Sequence, residues 1–127
     1  METLQALIPD VEVLLALAPE ELAFPLLKLA RGILQRDKIG GFHPDTIGSQ
    51  NGYPGNRQDE VSVALNEAWQ WLRINMLILP AVGINGNNGW TVLSRRAVTI
   101  TTEQDFHSFL AAAAFPKATN VVIHPME

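Results

Sequence analysis

Residues 59–100 constrain the fold of this chain more than any other stretch. Val61, Leu65, Ala68 and Leu72 form an i, i+4, i+7, i+11 stripe, widened by Ala64 and Trp69, and predict an amphipathic helix over 59–74. Trp71 lies off that stripe and is expected to pack against another element. Asn75 suits a left-handed C-terminal cap. An apolar strand is expected over 77–82, then a glycine- and asparagine-rich loop over 83–89, then a second strand over 90–100 carrying Arg95 and Arg96. A helix running into a two-stranded ribbon with a polar tip is the order that closes a winged helix-turn-helix. Both the helix and the ribbon tip of that unit are binding surfaces.

Upstream, residues 2–8 suit a short helix stopped by Pro9, and Asp10 can cap the segment holding Val11, Leu14, Leu15 and Leu17. Pro19 in a first turn, followed by Glu20 and Glu21 at the positive end of the dipole, predicts a central buried helix over 20–35. Pro25 falls about one turn in, where a slight kink is expected rather than a break. Residues 36–56 have five glycines, Pro44 and Pro54, and read as an irregular loop anchored by Phe42, Ile47 and Tyr53. After Ile100, Thr102 and Asp105 approximate a capping box for a helix that Pro116 ends, and 120–123 could add a short strand or docked segment. The expectation is a single α+β domain over 1–127, mostly helical, with a winged helix-turn-helix-like core, a two-stranded wing and a C-terminal helix.

A chain of 127 residues has room for one core. Hydrophobic residues make up 47% and charged ones 17%, an ordinary globular balance, and no apolar run is long enough to cross a bilayer. No basic segment precedes the first apolar residues, so no secretory signal is expected and a cytoplasmic location is the default. The absence of cysteine removes disulfides, thiolate metal sites and a thiol nucleophile.

Little here points to catalysis. His43, His107 and His124 are far apart and share no metal-ligand spacing with a carboxylate. Ser94 or Ser108 with His107 and Asp105 makes a triad on paper, but no serine sits in a nucleophile elbow. The acidic pairs Glu20/Glu21 and Asp59/Glu60 are explained by helix dipoles. No glycine loop has the lysine of a phosphate loop. The expectation is no enzyme, no cofactor and no metal.

Net charge is −4, against a general polyanion binder, yet it is uneven. Residues 1–27 carry −5, residues 28–96 carry +3 and residues 97–127 carry −2. The candidate nucleic-acid contacts fall in the basic part: Lys38, Arg57, Gln58, Arg73, Asn85, Asn87, Asn88, Arg95 and Arg96. Arg57 and Gln58 would lead the helix into a groove, with the asparagines at the wing tip and the paired arginines on phosphate. Asp59 and Glu60, at the same leading end, would repel phosphate. Scattered solvating charge explains such a mild excess equally well.

The runs Leu14-Leu15-Ala16-Leu17-Ala18-Pro19-Glu20-Glu21-Leu22-Ala23, Phe42-His43, Glu67-Ala68-Trp69-Gln70-Trp71-Leu72, Asn88-Gly89-Trp90 and Ser94-Arg95-Arg96 resemble an uncharacterised bacterial family of conserved hypothetical proteins. Asp105-Phe106 and His124-Pro125 extend the resemblance to residues 11–125. Members of that family often occur near mobile-element and phage-defence genes. Two places where the family usually has glycine hold Asn75 and Ala97 here. Many relatives continue into a further C-terminal domain, whereas this chain stops soon after His124-Pro125. The resemblance implies a winged-helix-like, defence-related recognition or adaptor piece. The leading expectation is therefore non-catalytic binding of duplex nucleic acid, as a regulator or targeting subunit. The alternative is a protein-interaction adaptor, or the dimerisation subunit of a larger bacterial defence complex, touching its partner through the acidic N-terminal portion and exposed apolar residues.

Overall fold

A computed structural model describes residues 3–37 and 52–114, with side chains over 3–34 and 52–112. Two short helices open the chain, α1 (Leu4–Leu7) and α2 (Val11–Ala16). The Thr3 hydroxyl accepts from the Ala6 amide, and the Asp10 carboxylate accepts from Glu12, as an N-cap should. α3 (Pro19–Asp37) begins where the Glu21 carboxylate reaches back to the Ala18 amide at 2.7 Å, and it runs on through Pro25. A 3-10 turn (Gly55–Arg57) then leads into α4 (Gln58–Ile74).

The expected stripe is the buried face of α4: Val61, Leu65, Ala68, Trp69 and Leu72. It packs along α3, whose Leu22, Ala23, Leu26, Leu27 and Ala30 are buried opposite, and this α3–α4 pair is the body of the core. Leu4, Ile8 and Leu14 close one end of it. Tyr53 pins the incoming chain there, its ring buried and its hydroxyl donating to the Ile8 carbonyl at 2.7 Å.

The ribbon after α4 is present but much shorter than expected. β1 (Ile78–Pro80) pairs antiparallel with β2 (Thr91–Leu93), in the register Ile78↔Leu93, Leu79↔Val92, Pro80↔Thr91. The loop between them is wound into a helical turn, α5 (Ile84–Asn87). The positive φ angles fall on Gly83 (72°) and Gly89 (91°), so the asparagines stay right-handed. The second strand stops at Leu93 because Ser94 begins a new turn, α6 (Arg95–Val98), its hydroxyl accepting from the Ala97 amide. Arg95 and Arg96 therefore ride on a helical turn and not on a strand.

Asn75 is a cap of a different kind from the one expected. It remains at φ −88°, and the left-handed residue is Met76 at φ 58°. The Leu77 amide donates to Leu72 and the Met76 amide to Arg73, the paired bonds of a Schellman closure. The Asn75 side-chain amide adds a bond to the Trp71 carbonyl at 2.9 Å.

α7 (Glu103–Ala114) starts from the expected capping box. The Thr102 hydroxyl accepts from the Asp105 amide, and the Asp105 carboxylate accepts from the amides of Thr101 and Thr102. Those bonds hold the Asp105 carboxyl below the usual range. Phe106 of α7 lies 5.4 Å from Phe24 and 5.9 Å from Trp71, with Phe109 6.2 Å from Trp71. The element Trp71 packs against is thus the C-terminal helix. Among the described residues the fold is α+β, mostly helical with one two-stranded antiparallel sheet. No described helix is long and apolar enough to cross a membrane.

Candidate interaction surface of the hairpin

The residues expected to contact nucleic acid do not form one surface. Arg57, at the leading end of α4, is half-buried and held by two carboxylates: Glu12 of α2 and, at 2.6 Å, Glu60 one turn on. Hydrogen bonds to Glu12 and then Glu60 raise its pKa above the ordinary arginine value. It ties α2 to α4 and is not offered to phosphate. Its neighbour Gln58 donates to the Tyr53 carbonyl at 2.8 Å, steadying the approach to the helix. Asp59 and Glu60 are exposed beside them. The leading end of α4 is therefore a structural junction with an acidic surface. Lys38 lies outside the described residues, as do Phe42, His43, Ile47, His124 and the segment 120–123.

Arg73, Arg95 and Arg96 are exposed. The Arg96 guanidinium stands 5.7 Å from the centre of the Phe109 ring, a cation–π contact that leaves one side of it in solvent. The α6 turn is held from beneath by a residue sequence reasoning missed. Arg31 of α3 donates to the carbonyls of Ala97 (2.7 Å), Ile100 (2.6 Å) and Val98 (3.4 Å). Its cation thus sits at the negative end of the turn. No sequence signal marks it, because its partners are backbone atoms 66 to 69 residues away.

Asn85, Asn87 and Asn88 are all exposed at the hairpin tip, as expected. Apolar side chains share the tip with them: Val82 is 93% exposed, Ile84 74% and Trp90 37%. Nearer the root, Ile74 and Met76 are also exposed. Between Arg73 and Arg95 the chain has no charged residue, and between Glu67 and Glu103 it has no acid. Both patterns are legible in the sequence. The tip is built closely: a side-chain carbon on Gly86 would collide with the Ala81 carbonyl oxygen, so the turn folds back on the residue just after β1. The Ala81 amide donates to the Trp90 carbonyl, closing the ribbon below it.

Two of the groups that could make a triad on paper have structural roles instead, and the third is a surface histidine. The Ser94 hydroxyl and the Asp105 carboxylate cap helices, and His107 is exposed on α7. Among the described residues no group of three or more histidines, aspartates or glutamates could hold a metal ion. No protein-family model, curated protein or solved structure matches the chain.

Proposed function

We propose that this is a non-catalytic protein-docking module of winged-helix type, whose contact surface is the tip of the β1–β2 hairpin. The order α3, α4, hairpin supports the winged-helix assignment, since a helix pair followed by a ribbon is that unit's sequence of elements. The observation that carries the docking reading is the uncharged, apolar tip. Val82 and Ile84 stand in water and Trp90 is partly exposed beside them in sequence, on a segment with no charge between Arg73 and Arg95. Exposed apolar side chains gathered on one projecting feature are what a partner surface covers. Phosphate binding calls for cations there, and the tip has none.

The experiment is a photo-reactive side chain placed at position 84 of the full chain in its native cell, with position 62, exposed on α4, as control. Cross-linking to one protein from position 84 and not from 62 is the expected result. No protein adduct from either position overturns the reading.

A second reading, binding of duplex nucleic acid by a regulator or targeting subunit, is favoured by Arg73, Arg95 and Arg96 in a stretch free of acids. Such binding must weaken steeply between about 50 and 200 mM salt and fall further with Arg95→Ala plus Arg96→Ala. No binding of a generic duplex at the lower salt removes it. The bacterial-defence setting belongs to either reading and rests on the sequence resemblance alone.

A further inference from the structure

We infer that Asn88 is a site of spontaneous modification, at which the hairpin tip converts one of its own amides to an acid. The tip holds the pairs Asn85–Gly86 and Asn88–Gly89. A third pair begins at Asn51, outside the described residues. In such a pair the backbone nitrogen of the glycine can attack Cγ of the asparagine, because no Cβ on the glycine stands in the way. A bond forms from that nitrogen to Cγ, the Cγ–Nδ2 bond breaks, and ammonia leaves with the proton the backbone nitrogen gives up. Water then opens the resulting ring at either carbonyl, leaving aspartate or its β-linked isomer. Nothing is oxidised or reduced, and water is the only other reactant.

The two tip pairs are alike in sequence, and the fold separates them. Ring closure requires the glycine nitrogen to swing onto the side of the asparagine side chain. At Asn88 ψ is 11°, which leaves the Gly89 nitrogen nearly eclipsing the asparagine's own nitrogen, so the peptide unit must turn. That unit is a rigid plate, and a change in the ψ before it is taken up by an opposite change in the φ after it. Here that φ belongs to Gly89, at 91° and exposed, and glycine passes readily from positive to negative values. The turn gives up the bond from the Gly89 amide to the Gly86 carbonyl, at 3.1 Å. Turning the 85–86 unit instead parts three bonds: the Gly86 amide to the Gly83 carbonyl, and the Asn88 and Trp90 amides to the Asn85 carbonyl. Gly86 is also half-buried within α5, close under the Ala81 carbonyl.

The product adds one negative charge to a chain of net −4, inside a stretch with no acid between Glu67 and Glu103. The conversion follows from the geometry of the tip whether or not the tip docks a partner. Peptide mass mapping of the full chain, aged at mildly alkaline pH, tests it, with fragmentation that tells position 85 from 88 and aspartate from its isomer. The same chain aged in urea above its unfolding midpoint is the comparison. In the folded chain, conversion at 88 should outpace that at 85 by roughly tenfold or more, as expected where two further hydrogen bonds must open. Asn66, exposed on α4 and followed by Glu67, should stay unconverted over the same period. In urea, where the fold no longer distinguishes the two pairs, the gap should close. Equal rates at 85 and 88 in the folded chain, no conversion at 88 while the unfolded chain converts, or a gap that persists in urea overturns the inference.

Discussion

At the scale of single residues, three side chains do work that their neighbours in sequence do not announce. Met76 closes α4 in the left-handed region, which costs a residue with a Cβ about 1–2 kcal/mol. Its side chain is 58% exposed and adds little packing in return. Met76→Gly is expected to raise stability by about 1 kcal/mol, read as a higher denaturant midpoint at unchanged slope. Tyr53 acts through its hydroxyl: burial pushes the phenol up to about 12 from 10.0. The unfolded phenol ionises near pH 10 while the folded one resists until about 12. Its contribution is therefore whole below pH 10 and is lost as pH rises through that interval. Urea midpoints of the parent chain should fall between pH 10 and 12, and those of Tyr53→Phe should fall less. That variant begins lower by about 1–2 kcal/mol, since the Ile8 carbonyl loses its donor. Arg31 is the third. Arg31→Ala should destabilise the chain by about 2 kcal/mol, because charged hydrogen bonds to three carbonyls are lost together.

At the scale of elements, the long helices were legible because their periodicity and their burial report the same thing. The stripe of α4 repeats over about three turns, and the core takes up that face. The capping box at Thr102 was legible for the same reason, since its signal and its bonds are both local. The short elements were not. An expected strand over 90–100 is twice the usual strand length, and Ser94 already supplied an N-cap within it. The glycine- and asparagine-rich loop expected over 83–89 puts its positive φ on two flanking glycines, which leaves room for a helical turn between them. The candidate site divided along the same line. Exposure of Arg73, Arg95, Arg96 and the asparagines could be read from polarity. The capture of Arg57 by Glu12 could not, because it depends on how α2 meets α4 across 45 residues. The tip has its own structural dependence on Gly86. Gly86→Ala forces a methyl group against the Ala81 carbonyl, so the turn must open. The expected outcome is faster amide exchange over 82–90 with the protection of α3 and α4 retained.

At the scale of the whole molecule, the buried core and the proposed docking surface occupy different parts of the chain. The α3–α4 core is held by fully buried leucines such as Leu26 and Leu72, while the hairpin contributes Leu77 and Ile78 at its root and exposes its tip. Removing a buried leucine to alanine costs about 2–5 kcal/mol, a large share of the roughly 5–15 kcal/mol that holds a domain together. An exposed substitution away from caps and core typically moves stability by less than about 0.5 kcal/mol. Leu72→Ala should therefore lower the melting temperature by roughly 10 °C or more, given about 3–6 °C per kcal/mol for a chain between the small and mid-sized domain classes. It should leave cross-linking at position 84 intact at temperatures where the chain is still folded. Ile84→Asp should do the reverse, abolishing tip-mediated association at an unchanged melting temperature. If Ile84→Asp instead melts with Leu72→Ala, the tip belongs to the core and cannot be a surface held out for a partner. The separation of the two effects, measured on the same preparation by calorimetry and cross-linking, is what distinguishes a docking arm from an ordinary loop.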